Sequence, residues 1–179
     1  MEHIARYIIC EINDRTFNPQ YATEDIKDYH VRKAARGILV KDGKLAWLNV
    51  SKKGYHKLPG GGIEKDETNE QAFKREVLEE AGCMCNVLDE GAVTIEYRDQ
   101  FKLVQISYVF MAEVVGEPGE QKLEQGEVDE GHDLEWYTFE ETENLLKAEN
   151  PTEYEDRFIH LRDQSIFEFY KNKLQEQLA

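Results

Sequence analysis

Cysteine is scarce in this sequence, and its spacing does not indicate a bridged or zinc-bound framework. The 179 residues include three cysteines, Cys10, Cys83 and Cys85. Three cysteines cannot all pair with one another, and these positions do not follow the spacing of a zinc site. Reduced thiols are the usual state in the cytoplasm, so we expect a cytoplasmic protein with free cysteines.

Positive charge and long apolar runs are also scarce. The chain has 22 Lys and Arg against 37 Asp and Glu, a net charge of −15. Such a charge argues against nucleic-acid polymers and anionic membranes as partners, because these need a basic surface. No stretch is long enough to cross a membrane, and the short apolar run near Glu2, Arg6 and Glu11 is not a signal peptide. A small phosphorylated substrate stays compatible, because Mg²⁺ can neutralise both site and ligand.

Sequence signs of a domain boundary are missing as well. The sequence shows no internal repeat and no low-complexity linker. A chain of this length suits one domain with a sizeable core. We therefore predict a single domain over residues 1–179, with a C-terminal helical extension over about residues 151–178.

The most informative stretch runs from Leu58 to Cys85 and joins a glycine-rich loop to a helix. Thr68 is placed to cap the helix, and Gln71 three residues later completes a capping box. Gly82 fits the position after the helix end, where a left-handed conformation is favoured. Three consecutive glycines at 60–62 allow close approach of the backbone. Ahead of an acidic helix, the glycines predict a loop that places a carbonyl beside a metal ion.

Three glutamates of this helix, Glu76, Glu79 and Glu80, fall within roughly 100° of one another. Glu76 and Glu80 are like charges one turn apart, near the C-terminal end where the helix dipole disfavours anions. Local conflicts of this kind often mark a functional site. A hard divalent cation would relieve the repulsion by taking carboxylate oxygens as ligands. The alternative is a solvated acidic face on an acidic protein.

The spacing of these residues resembles the signature of the Nudix hydrolases, the MutT-like family. Gly61 is followed after five residues by Glu67, and after seven more by Arg-Glu-Val-Leu-Glu-Glu-Ala-Gly at 75–82. The match covers residues 61–83 and departs only at Cys83, where the family usually has an aliphatic residue. Cysteine behaves as a small hydrophobic residue, so this departure changes little. The resemblance implies an α/β fold, an α/β/α sandwich with a mixed β-sheet, and Mg²⁺-dependent hydrolysis of a nucleoside diphosphate linked to another moiety.

The same resemblance assigns roles to individual residues. The family's metal ligands carry over to four positions, the carbonyl of Gly60 and the side chains of Glu76, Glu79 and Glu80. The ion would be Mg²⁺ or Mn²⁺, and Glu76 and Glu79 would be catalytic residues as well as ligands. Arg75 and Glu67 carry over as supporting residues, with Arg75 orienting carboxylates. The general base would be Glu76 or a glutamate of the acidic loop at 116–131, for which we choose Glu127.

Cationic side chains around the glycines are candidates for contact with the substrate. Lys53 and Lys57 lie in the loop before the glycines, and Arg36 lies on the preceding strand pattern. Together with Gly61, they are predicted to contact a small nucleotide. The alternative for each lysine is an ordinary polar loop residue, and for Arg36 a solvated or strand-packed side chain.

The rest of the chain is predicted to contain strands, two further helices and two long loops. The predicted strands are Ile4–Ile12, Val31–Val40, Lys44–Val50, Ala92–Arg98, Leu103–Val115 and Leu134–Phe139. The predicted helices are Glu140–Glu149 and Glu153–Leu178, and the predicted loops are Asn13–Gln20 and Gly116–Gly131. Asp42-Gly43 predicts a hairpin. The last helix is apolar on more than one face, which fits either packing on the domain or a homodimer interface.

The sequence indicates the type of reaction more narrowly than it indicates the substrate. Family members that cleave ADP-ribose often carry a proline beyond the signature, whereas this chain has none between Pro59 and Pro118. We therefore predict nucleoside triphosphates, including oxidised purine forms. The alternatives are an ADP-ribose or nucleotide-sugar pyrophosphatase, and a Nudix-like domain that senses a nucleotide without cleaving it. Sensing domains usually lose glutamates of the signature, and this chain keeps them.

Overall fold

A computed structural model describes residues 6–22 and 25–178 of the chain. Within these ranges, strands of one mixed sheet are flanked by helices. The strands are β1 (Tyr7–Asn13), β2 (His30–Lys41), β3 (Lys44–Val50), β4 (Tyr55–Lys57), β5 (Gly60–Gly62), β6 (Met84–Arg98), β7 (Leu103–Val115) and β8 (His132–Tyr137). The helices are α1 (Asp14–Phe17), α2 (Asn69–Ala81), α3 (Gln125–Glu130), α4 (Phe139–Ala148) and α5 (Tyr154–Leu178).

The central strand β2 brings distant parts of the chain together. It runs parallel to β7 along most of its length, and its other edge pairs antiparallel with β3 and with the glycine strand β5. In that last pairing Arg36 lies opposite Gly60. The hairpin between β2 and β3 closes at Asp42 and Gly43, whose φ angles are 49° and 75°. Positive φ at both positions suits a tight two-residue turn, which confirms the predicted hairpin.

One face of the sheet is covered by α2. The apolar side of this helix, Phe73, Val77 and Ala81, is fully buried. The ring of Phe73 stacks on Phe110 of β7 with 4.8 Å between the ring centroids. Because this side of α2 is fixed against the sheet, its glutamates are held close to the glycine strand β5.

The opposite face is covered by α4 and α5. The buried apolar side chains of α5 are Phe158, Ile166, Phe167, Tyr170 and Leu174. Most of these join a core cluster with residues of β2 and β3. The long helix therefore packs on the sheet, and the predicted α/β sandwich with a mixed sheet and a C-terminal helix is confirmed. Among the described residues, no helix combines the length and the apolarity that spanning a membrane would need.

Two segments predicted as loops contain short helices. The segment at 13–20 includes α1, which is capped by a hydrogen bond of 3.2 Å from the Thr16 backbone N–H to the Asn13 side chain. The segment at 116–131 includes α3, where Glu124 and Glu127 form a capping box. Helices this short have little room for an apolar period, so end-capping contacts define them instead.

The bounds of some strands also differ from the prediction. The strand predicted at 92–98 begins at Met84, and the strand predicted at 134–139 runs from His132 to Tyr137. The first strand begins at Tyr7 in the described part of the chain, and residues 4 and 5 lie outside it. The extension of β6 is paired with β7, so partner strands rather than its own composition set its length.

Candidate active site

Local hydrogen bonds fix both ends of α2 as the sequence predicts. The Gln71 backbone N–H donates to the Thr68 hydroxyl over 3.2 Å, and the Thr68 N–H donates to the Gln71 side chain over 2.8 Å. At the other end Gly82 adopts a φ of 64° and donates its N–H to the Leu78 carbonyl. A left-handed residue is favoured there because it closes the last turn. These caps set the length of the helix that carries the glutamates.

Arg75 is the centre of a fixed carboxylate network. It donates from Nη1 to Glu76 over 2.8 Å and to Glu79 over 3.1 Å. It also donates from Nη2 to Glu67 over 2.9 Å and to the Gly62 carbonyl over 2.8 Å. The Arg75 guanidinium lowers the pKa of Glu67. Arg75 thus joins the glycine strand to two of the predicted metal ligands.

Glu80 is the most deeply buried of the predicted ligands. It is 2% exposed, whereas the side chain of Glu79 is 41% exposed. The Gly60 N–H donates to Glu80 Oε2 over 2.5 Å, and Lys57 Nζ lies 3.4 Å from Glu80 Oε1. Burial raises the pKa of Glu80 to about 8, and Lys57 offsets this only in part. The interpretation of Glu80 as part of a solvated helix face is therefore wrong.

Gly60 is the residue that allows this close approach. Its φ of +140° lies in a region that side chains rarely adopt. A Cβ atom there would clash with the Ala35 carbonyl and with the backbone of Arg36. Only glycine lets the loop run this close to β2 while its N–H reaches Glu80.

A cleft of about 420 Å³ brings the predicted acidic residues together. Its lining includes Glu76, Glu79 and Glu80 from α2 and Glu127 from α3. Glu127 contributes to the raised pKa of Glu80, which indicates that the two carboxyl groups are neighbours. Burial also raises the pKa of Glu76. The structure thus places Glu127 in the cleft beside the predicted ligands, although it lies 47 positions after Glu80 in the sequence.

The residues predicted to contact substrate also line this cleft. Lys57 is paired with Glu80, and Lys53 lies 2.8 Å from Glu130 and 3.3 Å from Asp156. Arg36 is 4% exposed and donates from Nε to the Ser107 hydroxyl over 3.0 Å. Burial lowers the pKa of Arg36 to about 9, and the neighbouring Arg162 adds to this effect. Gly61 lies on β5 between the other two glycines, where a Cβ would meet the Glu76 carboxylate.

Sequence reasoning missed a second charged network that lines the cleft. Arg162 of α5 donates to Glu96 over 3.3 Å and to Asp163 over 2.7 Å. Arg98 donates to the same Glu96 over 2.7 Å. The backbone N–H of Leu58, two residues before Gly60, donates to Asp163 over 2.8 Å. In the sequence, apolar Val93, Ile95 and Tyr97 alternate with polar residues along this strand, but the partners on α5 are not visible there.

Sequence reasoning also missed His132 at the start of β8. Its side chain is 2% exposed and lies near Glu127, with Nδ1 to Oε1 at 3.9 Å. Burial lowers the pKa of His132, and Lys57 acts in the same direction. A lone histidine carries no motif, and the only hint in the sequence was its position directly after the acidic loop.

The donor set of the cleft fits a divalent cation. Four glutamate side chains, Glu76, Glu79, Glu80 and Glu127, line one cavity. Two cations counter them most directly: Arg75 bonds to Glu76 and Glu79, and Lys57 pairs with Glu80. Carboxylate oxygens are the ligands that hard divalent ions prefer, and a buried carboxylate favours a cationic partner.

Comparison with known proteins supports the resemblance to the Nudix hydrolases. A profile of the NUDIX domain matches residues 31–158. A protein of Methanocaldococcus jannaschii named ADP-ribose pyrophosphatase is 35% identical over 131 residues, which cover 69% of this chain and 72% of that protein. Among solved structures, a NUDIX hydrolase from Nitrosomonas europaea has a TM-score of 0.54 at 18% identity, over 76% of this chain and 92% of that one. The E. coli ORF135 protein has a TM-score of 0.53 at 19% identity, over 80% and 92% of the two chains.

The chain therefore belongs to the Nudix family. The family profile spans more than half of the chain, and the archaeal relative covers more than two thirds of it. The two structural neighbours show the same fold. The predicted Nudix-type pyrophosphohydrolase is confirmed, and the alternative of a sensing domain without catalysis is set aside.

Proposed function

We propose that this protein hydrolyses a phosphoanhydride bond in ADP-ribose or a closely similar nucleoside diphosphate derivative. The observation that carries the proposal is the convergence of Glu76, Glu79, Glu80 and Glu127 in one cleft that also contains basic side chains. Carboxylates can hold a divalent cation, and lysine and arginine side chains can hold phosphates.

The proposed ligands are the carbonyl of Gly60 and the carboxylates of Glu76, Glu79 and Glu80, with Mg²⁺ as the family's ordinary ion. A bound divalent cation supplies Lewis-acid polarisation of the phosphate oxygens and lowers the pKa of a water molecule. The Arg75 bonds to Glu76 and Glu79 hold these two carboxylates in place before any ligand arrives. Such preorganisation reduces the reorganisation that the reaction requires.

A glutamate of the cleft would accept the proton of the attacking water. Glu127 and Glu76 are the two candidates, since both line the cleft and lie near Glu80 or Arg75. The water oxygen forms a bond to phosphorus, and the bond from that phosphorus to the bridging oxygen breaks. The products are a nucleoside monophosphate and a second phosphorylated group.

Phosphate contacts are proposed for Lys53, Lys57, Arg36 and the backbone of Gly61. Lys53 and Lys57 are both paired with carboxylates in the structure, so binding of substrate or cation would exchange those partners. Arg36 is buried and has the Ser107 hydroxyl rather than a carboxylate as the acceptor from Nε. Among Lys53, Lys57 and Arg36, the positive charge of Arg36 is therefore the least balanced by a directly bonded carboxylate.

Two substrate classes are supported by different observations. The 35% identity to a protein named ADP-ribose pyrophosphatase favours ADP-ribose. The absence of proline between Pro59 and Pro118 favours nucleoside triphosphates. We place ADP-ribose first because the identity extends over 131 residues, whereas the proline concerns one position.

A substrate panel with matched variants tests the proposal. ADP-ribose, nucleotide sugars and nucleoside triphosphates are compared by kcat/KM in Mg²⁺, and we expect ADP-ribose to give the highest value. Glu127→Gln should lower kcat by about a hundredfold with little change in KM, as expected for loss of a general base. Glu120→Gln, an exposed glutamate of the same acidic segment, is the control and should leave turnover unchanged. Preferred turnover of triphosphates would overturn the ADP-ribose assignment, and no turnover of any anhydride would overturn the reaction.

A further inference from the structure

A buried histidine lies directly beside two of the proposed acidic site residues. One donor atom each from Glu80, Glu127 and His132 lies within 4.8 Å of the others. Glu80 is 2% exposed, and the side chain of His132 is also 2% exposed. Small side-chain rotations would bring these three atoms to the spacing of ligands around one ion.

The ring of His132 is oriented by Glu130. His132 Nε2 lies 3.1 Å from the Glu130 carboxylate. Because a carboxylate only accepts hydrogen bonds, Nε2 carries the ring proton, and in the neutral ring the lone pair is then on Nδ1. That Nδ1 atom is buried and has no hydrogen-bond partner within residues 6–22 and 25–178. Burying an acceptor without a partner is unfavourable. A bound ligand that accepts the lone pair of Nδ1 would remove this cost.

The Glu130 carboxylate that contacts His132 is itself held by a lysine. Lys53 Nζ lies 2.8 Å from the same Glu130 carboxylate. Metal-binding histidines almost always donate their second ring N–H to a carboxylate or carbonyl, which fixes the ring and its tautomer. The chain from Lys53 through Glu130 to His132 has this arrangement, and it points the free nitrogen towards the acidic cleft.

Among the described residues, no hydrogen bond accounts for Nδ1. Glu127 Oε1 lies 3.9 Å from His132 Nδ1. That separation is too long for a hydrogen bond. It is a reasonable separation for two atoms that share an ion lying between them.

We propose that His132 binds a divalent first-row transition-metal ion together with Glu80 and Glu127. The cleft would then hold such an ion more tightly than Mg²⁺. The reason is the nitrogen ligand, because imidazole suits transition-metal ions whereas Mg²⁺ takes oxygen ligands. This inference rests on the proposed function only in that both concern the same cleft.

The test uses Co²⁺ as the probe ion on the full chain without nucleotide. Calorimetric titrations measure Co²⁺ and Mg²⁺ affinity for the wild type and for His132→Gln. We expect His132→Gln to weaken Co²⁺ binding by at least about tenfold. Mg²⁺ binding should change by less than about twofold, since the glutamine side chain still offers an oxygen. His30→Gln, at an exposed histidine, is the matched control and should change neither affinity.

Proton NMR of the Co²⁺-loaded protein shows the ligand directly. The Nε2–H proton of His132 should appear as a strongly shifted, solvent-exchangeable signal that is lost in His132→Gln and kept in His30→Gln. Glu130→Gln provides a second variant, at a side chain that is 42% exposed. It should weaken Co²⁺ binding by about 10- to 100-fold, because an amide oxygen accepts the ring N–H more weakly than a carboxylate and leaves the imidazole a less basic ligand.

The outcomes separate this inference from the proposed function. An equal loss of Co²⁺ and Mg²⁺ affinity in His132→Gln, or no shifted ring signal in the Co²⁺-loaded wild type, would overturn the histidine ligand. Neither result depends on turnover. Conversely, failure to hydrolyse any substrate of the panel would overturn the proposed function and leave the binding result standing.

Discussion

Two buried glutamates of this protein lie in opposite electrostatic surroundings. Glu80 is 2% exposed and Glu96 is 0% exposed. Burial raises the pKa of Glu80 to about 8. Burial acts in the same direction on Glu96, but Arg162 and Arg98 outweigh it and hold the pKa of Glu96 below its usual value. Glu96 is thus an anion whose charge is balanced by arginines, whereas Glu80 has too few cationic partners and keeps its proton to a higher pH.

This difference indicates that the Glu96 network stabilises the fold, whereas the Glu80 network serves the chemistry of the cleft. Glu96 accepts hydrogen bonds from two arginines, so its negative charge is balanced without a ligand. Glu80 has a backbone N–H at 2.5 Å and a lysine at 3.4 Å, and it lies near the further carboxylate of Glu127. A buried charge without sufficient partners is unfavourable, and such violations are expected at functional sites.

The largest expected effect comes from removing Arg162, which balances the charge of Glu96. Arg162→Met removes the guanidinium from Glu96 and Asp163 and leaves both carboxylates buried. Removing one partner of a buried ion pair costs about 3–5 kcal/mol, so denaturant unfolding should show a loss of this size. Lys74→Met is the control, because it breaks a pair with Glu70 whose side chains are 43% and 44% exposed, and it should cost less than about 1 kcal/mol. Equal small losses in the two variants would mean that the Arg162 network does not stabilise the fold.

The next effect concerns Glu80, which has too few cationic partners. Glu80→Gln replaces a carboxyl group whose raised pKa keeps it largely protonated at neutral pH, so the metal-free melting temperature should change little. The increase in melting temperature caused by Mg²⁺ should shrink, because an anionic ligand is lost. Turnover should fall by about a hundredfold or more, since the ion stabilises charge in the transition state. An unchanged response to Mg²⁺ together with normal turnover would remove Glu80 from the ligand set.

A smaller effect is the pH dependence of stability in the metal-free protein. The pKa of Glu80 rises from 4.5 to about 8 on folding. Between these values the native state keeps a proton that the unfolded state has released, so the free energy of unfolding falls as pH rises. The slope contributed by one such proton approaches about 1.4 kcal/mol per pH unit.

Comparison with Glu80→Gln isolates this contribution. The difference in unfolding free energy between wild type and variant, measured by denaturant titration across that pH range, should decrease towards high pH. Glu96 has the opposite sign, because its lowered pKa adds stability that is lost only as pH falls through the acidic range. A difference between wild type and Glu80→Gln that does not vary with pH would show that Glu80 is ionised normally.

Local spacing made much of the fold and the centre of the site predictable. The caps of α2 at Thr68 and Gly82 depend on contacts within a few residues, and the structure shows both. The position of Arg75 beside Glu79 follows from helix geometry and is also observed. The burial of Glu80 was not predictable from the helix, because it depends on the approach of Gly60 along β2.

The parts that could not be predicted depend on distant partners. Near the end of β6 the polar residues Thr94, Glu96 and Arg98 are buried, at 0%, 0% and 3% exposure, whereas Ile95 and Tyr97 between them are only half-buried. Alternation shows that a strand has two faces, but it does not show which face is covered. In this case α5 decides, since Arg162 reaches Glu96 from 66 residues further along the chain. His132 was missed for the same reason, because its neighbours Glu80 and Glu127 come from two other helices.

The central claim is that the acidic network of the cleft needs a divalent cation to perform hydrolysis. The most direct measurement is turnover of the substrate panel after removal of divalent ions with a chelator, followed by addition of Mg²⁺. Turnover should vanish in the chelator and return with the ion, because the carboxylates alone do not activate water. Full turnover in excess chelator would contradict the account.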